Sequence, residues 1–463
     1  MEVTVQRMRD ESWEFDDKGI RANKPNFIVV WELPFTEFDW RRLQLAEISR
    51  FAKVTVFDCS LIWNSHFRTA YSTTALRSEI RSPTTELELS SELREILRSS
   101  HPCVVWSQVR PESSLGRLVA KFRRKFGFIQ MFGYLGGVPI SKTPYLEAGR
   151  SYPDFIRGAG LAARRLLLRH RMADVALVAG RVLTQIASER EGRAILIGAN
   201  SFDLEMWEGA DFESRESSQK IGVFIDTGFP KFPTDSLMYG KNHEIDTETW
   251  YARLRALFDR VERLTDLDVV IALHPKHHGR NTFGIFGDRR VADKPTSNLI
   301  RNAEFVITFG STAMSFAVLK GIPIMLLSSS QFESDRYLAS LPSTYGSAIG
   351  KSPLNIDHGF SDSQILASLT VSSGHYGEYK RDYLTSSESP KTNSQAMLEL
   401  IMFPLNFEAG QCGDVFLIGR FRILARHLAR RRVLRTLKAR FGRKPKGKPK
   451  HPELAAINRK EFL

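Results

Sequence analysis

Cysteine is scarce in this chain. Its 463 residues hold three, Cys59, Cys103 and Cys412, far apart and without a CxxC pair. That argues against a disulfide framework or a zinc knuckle and fits a reduced compartment. Long apolar runs are missing too, and none approaches the roughly 18 residues of a membrane span. The opening MEVTVQRMRDESWEFDD is acidic and polar, so no signal peptide is expected and the cytosol is the expected compartment. Acidic residues are absent from one whole region, Arg420 to Lys450, which carries 14 Lys or Arg. The formal net charge is +14, with 66 basic and 52 acidic residues, so removing those 14 leaves 52 against 52. The body is neutral, which excludes a generally basic, nucleic-acid-like surface and places the excess in one tail.

What is present is a strand–helix alternation. NFIVVWELP (26–34) reads as a buried strand, WRRLQLAEISRFA (40–52) as a helix with Leu43, Ala46, Ile48 and Phe51 on one face, and KVTVFDC (53–59) as a second strand. HPCVVWSQV (101–109), DVALVAG (174–180) and AILIGA (194–199) read as further strands, with RVLTQIASER helical between the last two and SSELREILRSS helical near residue 95. DFESRESSQK (211–220) is polar and without large aliphatic residues, as a linker would be. A second alternation follows. IGVFID (221–226), DVVIAL (268–273), EFVITF (304–309) and IPIMLL (322–327) are strands, TAMSFAVLK (312–320) is a helix, and Gly321 is a helix stop. Trp250, Leu254, Leu257, Val261 and Leu264 recur at helical spacing over 249–264. The length exceeds what one core serves, so two doubly wound α/β domains are expected, with ligands at the carboxyl ends of their strands.

Two stretches carry candidate chemistry. In VVIALHPKHHGR (269–280), Pro275 and Gly279 break the helix that an HxxH metal pair needs. No cysteine is near, and the next acid is Asp288, so no metal is expected. His274 follows directly on its strand, where its ring can donate to a phosphate, and Lys276 and Arg280 add positive charge. His277 and His278 read as solvated loop. In ITFGSTAMSFAVLKGIPIML (307–326), Gly310 permits a tight turn, and Ser311 and Thr312 stand where a helix begins. Free N–H groups there attract an anion, although a serine in that place also commonly caps its own helix.

LHPKHH followed by FGSTAMSFAVLKGIPIML resembles the His-Pro and Ser/Thr motifs of bacterial GT-B glycosyltransferases. These act in capsule, lipopolysaccharide and surface-carbohydrate synthesis and include polysialyltransferase-like and Kdo-transferase-like enzymes. IGVFIDTGFPKFPTD (221–235) is similar to the segment opening the C-terminal domain of such proteins. The resemblance covers roughly residues 195 to 330 and implies a GT-B fold. On that reading residues 1–210 form a Rossmann-like acceptor domain and 221–405 a Rossmann-like nucleotide-sugar donor domain. His274, Lys276, Gly310, Ser311 and Thr312 would hold the donor phosphates, with neither metal nor cofactor. No acid lies between Gly310 and Gly321, where many retaining relatives carry glutamates, which implies inversion and a general base from the cleft. The candidates are Glu32, Asp58, Asp203 and Asp226, all at strand ends and undecided among themselves. The acidic Asp-Gly motif of polysialyltransferases is absent. The rivals are a polyol-phosphate transferase using a cytidine-diphosphate donor and a non-catalytic scaffold for glycan assembly.

The tail, 415–463, is a third constellation. Leu417, Phe421, Leu424, Leu428, Leu434, Leu437 and Phe441 recur at helical intervals with Arg and Lys on the other faces. A basic amphipathic helix of this kind lies on an anionic membrane, here through residues 415–450, and RKPKGKPKHPE after it reads as disordered. The expected partners are a nucleotide-sugar donor, a glycan or lipid-linked acceptor and the inner face of the cytoplasmic membrane, not nucleic acid.

Overall fold

The computed structural model describes residues 24–63, 77–98, 103–137, 139, 172–191, 194–209, 219–230, 245–274, 284–292, 295–334, 336–386 and 391–408. The 211–220 linker falls largely outside them, as do Lys276 and the whole basic tail. Two parallel sheets lie in one compact unit, Met1–Leu405.

The first sheet has seven strands: β1 (Asn26–Trp31), β2 (Lys53–Asp58), β3 (Ile80–Arg81), β4 (Cys103–Gln108), β5 (Ile129–Tyr134), β6 (Val175–Ala179) and β7 (Ile195–Ala199). Their order is β3-β2-β1-β4-β5-β6-β7. The second has six: β8 (Ile221–Ile225), β9 (Val269–Ala272), β10 (Val291–Ala292), β11 (Ala303–Thr308), β12 (Ile324–Ser328) and β13 (Leu354–Asn355), in the order β10-β9-β8-β11-β12-β13. All pairings are parallel.

The described helices of the first half are α1 (Glu37–Arg42), α2 (Leu45–Phe51), α3 (Ser60–Trp63), α4 (Glu86–Arg98), α5 (Ser114–Phe126), α6 (Gly180–Glu191) and α7 (Phe202–Glu208). Those of the second are α8 (Thr247–Thr265), α9 (Thr296–Asn302), α10 (Met314–Lys320), α11 (Arg336–Ile349), α12 (Asp362–Ser368), α13 (Ser373–Tyr379) and α14 (Asn393–Glu408). A π-helical segment, Lys380–Leu384, follows α13.

The apolar strands form because both faces of each sheet are covered. In the second sheet, Ile221, Val223, Ile225, Val306, Ile324 and Leu326 face one core, and Phe224, Ile271, Ile307, Met325 and Leu327 face the other. On α8, Trp250, Leu254, Leu257 and Val261 are buried in the second of these cores, as the spacing predicted. Gly321 ends α10 with φ +80°.

Two expectations need correction. The helix expected over 40–52 is two short ones, broken at Gln44, which adopts φ +51°. Tertiary bonds hold that kink: Gln44 Nε2 donates to Glu205 Oε2 at 2.8 Å, and Gln44 Oε1 accepts the Ser394 N–H at 3.2 Å. The helix expected from residue 312 begins at Met314.

The chain finally returns from the second sheet to the first. Asn393, at the start of α14, accepts the Asn200 N–H at 2.9 Å and donates to the Asn200 carbonyl at 2.7 Å. Among the described residues no helix is long and apolar enough to cross a membrane.

Candidate active site

In the second sheet β9 and β10 lie on one side of β8, and β12 and β13 lie beyond β11. The strand order reverses between β8 and β11, and ligands of such sheets bind at the carboxyl ends of the strands flanking such a reversal. Asp226 follows β8, His274 follows β9 by two residues, and Gly310 and Ser311 follow β11.

Asp226 is 3% exposed. Its Oδ1 accepts the Gly228 N–H at 2.9 Å and its Oδ2 accepts the His274 N–H at 3.3 Å. One carboxylate therefore ties the turns after β8 and β9 together. Both of its oxygens are engaged, which suits a structural anchor better than a general base. His274 is half-buried beside it.

Gly310 has φ +114°, and a Cβ there would stand 3.1 Å from the Tyr345 ring. The residue is thus glycine for both conformational and steric reasons. Its N–H donates to Thr308 Oγ1 at 3.2 Å. Ser311 Oγ accepts the Ala313 N–H at 3.3 Å, and Ala313, not Ser311, is the N-cap of α10. Ser311 is half-buried and Thr312 exposed, both on the turn ahead of the helix.

At the same sheet edge lies a polar cluster that the motifs did not reveal. Asp357 accepts from Ser329 Oγ, from the Ser330 N–H at 2.7 Å, and from Arg253. Burial works to raise its pKa, but these donors outweigh it and hold the carboxyl below its usual range. Its ligands come from α8 and from the turns after β12 and β13, too far apart in sequence to form a motif.

In the first sheet the order reverses between β1 and β4. Glu32, just past β1, is 7% exposed and pairs with Arg110 Nε at 3.1 Å. Arg110 in turn lies over the Trp63 ring, 4.7 Å from its centroid. Burial raises the Glu32 pKa, and the opposing pull of Arg110 does not cancel this. Asp58 is 2% exposed and accepts the Phe35 and Ser60 N–H groups, each at 3.0 Å, so both its oxygens are held by backbone. Asp203 lies in the first turn of α7, enclosed at 5% exposure and packed against Ser315 of α10. The structure thus gathers Asp226 with His274, and separately Glu32 with Arg110.

Among the described residues no group of three or more His, Cys, Asp or Glu side chains is placed to hold a metal ion.

No protein-family model matches the chain, and no curated protein matches it. Solved structures do resemble it. The wall teichoic acid polymerase TagF is 11% identical with a TM-score of 0.50, covering 85% of this chain and 92% of its own. The S. aureus MnaA–UDP co-structure is 12% identical with a TM-score of 0.46, over 82% of this chain and 97% of that one. Arabidopsis thaliana UGT89C1 complexed with UDP is 12% identical with a TM-score of 0.43, over 82% and 99%. At such identities the likeness is one of fold. The two parallel Rossmann-like sheets are the GT-B architecture that the motifs implied.

Proposed function

We propose that this protein is a glycosyltransferase. It would take a sugar from a nucleotide-sugar donor and pass it, with inversion and without a metal, to a bacterial surface glycan or its lipid-linked precursor. The observation that carries the reading is the convergence of Asp226–His274 with the Gly310–Ser311 turn at the switch point of the second sheet. His274, Ser311 and Thr312, with Lys276 from the same loop, supply donors for a diphosphate that gains charge as it departs. Gly310 keeps the turn open to it.

An inverting transfer needs a base to take the acceptor's proton as its oxygen attacks the anomeric carbon. Of the four carboxylates, Glu32 suits this role best. Asp58 and Asp226 each have both oxygens held by backbone N–H groups, and Asp203 sits in the first turn of α7. Glu32, by contrast, accepts one backbone N–H, that of Arg110 at 3.4 Å, beside its pair with the Arg110 side chain. Glu32 stands at a switch point, with burial favouring proton uptake. The likeness to TagF, a wall teichoic acid polymerase, supports a second reading, transfer of a polyol phosphate from a cytidine-diphosphate donor. The basic stretch 415–450 would hold the enzyme on the cytoplasmic face of an anionic membrane.

The test is thermal stabilisation by uridine, cytidine and guanosine diphosphates. One base class should raise the melting temperature, in proportion to occupancy of the native state. His274→Ala should lose that rise while melting normally without nucleotide. A uridine or guanosine response supports sugar transfer, and a cytidine response supports either a cytidine-linked sugar or the polyol-phosphate reading. No response to any of them overturns the donor site, and unchanged cellular function of His274→Ala would favour a scaffold. For the tail, flotation with anionic liposomes should cease when residues 415–463 are removed. Persistent flotation would show that the anchor is elsewhere.

A further inference from the structure

One buried carbonyl joins the two halves of the molecule directly behind the Gly310–Thr312 turn. It belongs to Gly137, in the turn after β5, and it accepts two hydroxyls from the second half. Ser315 Oγ, in the first turn of α10, donates to it at 3.1 Å, and Tyr379 Oη, at the end of α13, donates at 2.9 Å. The two hydroxyl oxygens lie 3.3 Å apart. Ser315 is fully buried and Tyr379 nearly so. A carbonyl oxygen has two lone pairs and a hydroxyl one proton, so the Gly137 oxygen is saturated and both protons are committed.

Each hydroxyl is also tied to its own half. The Ser315 N–H donates to the Thr312 carbonyl at 3.0 Å, so this residue bonds the turn through its backbone and the first half through its side chain. One helical turn before Tyr379, Tyr376 Oη donates to the Ile322 carbonyl, just ahead of β12, at 2.9 Å. Helix α13 therefore carries two tyrosines three residues apart, on one face, with one bonded to each half. Beyond it the chain crosses to the first half. The Leu384 carbonyl accepts the Ser201 N–H at 2.7 Å, and the Ser386 N–H donates to the Ala199 carbonyl at 3.2 Å. The approach at Gly137 is close: a Cβ there would stand 2.8 Å from Leu384 Cδ2 and 2.9 Å from Ser201 Cβ.

One hydrogen bond satisfies a buried carbonyl. Two, reaching it from different helices, also fix direction, which apolar packing does not. Neither α10 nor α13 can shift against Gly137 without lengthening one of them.

We propose that Ser315 and Tyr379 are positioning residues. Together they latch the second half onto the Gly137 carbonyl, and so fix the Gly310–Thr312 turn relative to the carboxyl edge of the first sheet, where Glu32 and Arg110 stand. That the turn holds a donor phosphate rests on the reading above, but the latch itself does not. Because the hydroxyls share one acceptor, removing either leaves the carbonyl served, and only removing both orphans it.

The experiment uses the full chain with spin labels on unnatural residues at positions 87 and 366. Leu87 on α4 and Leu366 on α12 are exposed, one in each half. Distances between the labels are read by pulsed electron resonance with no nucleotide added. Tyr379→Phe and Ser315→Ala should each keep the narrow distribution of the wild type. In the double variant a second, shifted population should be about tenfold larger than in either single variant, the scale set by an unsatisfied buried carbonyl. A double variant as narrow as the wild type overturns the latch, even with a lowered melting temperature, because the hydroxyls would then serve stability alone. A single variant as broad as the double overturns it too. Should the double variant fail to fold, Ser315→Cys replaces Ser315→Ala beside Tyr379→Phe, keeping most of the volume with only a weak hydrogen-bond donor. It should show the second population, and a distribution as narrow as the wild type overturns the proposal equally. Since the distances are read without nucleotide, failure of the latch is distinct from failure of the donor reading.

Discussion

The main-chain N–H of His274 donates to Oδ2 of Asp226 at 3.3 Å, across 48 residues of sequence. The other oxygen of Asp226 takes the Gly228 N–H. Replacing Asp226 by Ala leaves two backbone donors without their charged acceptor and should cost about 3–5 kcal/mol, since hydrogen bonds to charged groups are worth roughly 1.5–3 kcal/mol each. Asp226→Asn keeps one acceptor oxygen and should cost about half as much. Urea unfolding of both variants checks this. Equal costs would mean that the two bonds do not share the load.

Gly310 is predicted to be intolerant of even a methyl group. With φ at +114° and Tyr345 at 3.1 Å from the added carbon, Gly310→Ala should lose about 1–3 kcal/mol through backbone strain and crowding. Any nucleotide-induced rise in melting temperature should vanish with it. A variant as stable as the wild type would show that the turn relaxes freely.

Asp203 makes stability depend on pH. Its folded pKa, about 7, lies above that of an exposed aspartate, so between the two the native state holds the proton that the unfolded chain has lost. The contribution is fully present below the unfolded pKa, near 4, and declines as pH rises until it is gone above about 7. Asp203→Asn should flatten that part of the profile, measured as unfolding free energy at successive pH values. A slope of the opposite sign would refute the assignment.

Glu32 and Arg110 should behave as a pair. Arg110→Ala strands a buried carboxylate and should cost about 2–3 kcal/mol, the low end for a broken buried pair because the Arg110 side chain is partly in water. Adding Glu32→Gln to Arg110→Ala should recover much of that loss. A double-mutant cycle with no coupling would mean that the two groups stand independently. If Glu32 is the base, Glu32→Gln alone should abolish turnover while leaving nucleotide stabilisation intact.

Much of the fold was legible because its signal is local. Strands covered on both faces are continuous apolar runs, so VVIA at β9 and IMLLS at β12 could be read without knowing their neighbours. For the same reason His274 and Gly310 could be placed at strand ends. The break at Gln44 could not, because the partners holding it, Glu205 and Ser394, lie far along the chain. Nor could Ser315, which looks like any small residue in the first turn of a helix.

By itself, then, the sequence determined the two alternations, the strand-end positions of its motif residues and the confinement of excess charge to one tail, since periodicity and composition are properties of neighbouring residues. Tertiary structure alone decided which carboxylate does what. Asp58 and Asp226 are held by backbone, Asp203 is enclosed against Ser315, and Glu32 is left with Arg110. Four acids at strand ends are equivalent as text. They differ in which distant donors surround them and how much water they lose, and both depend on segments that only folding brings together.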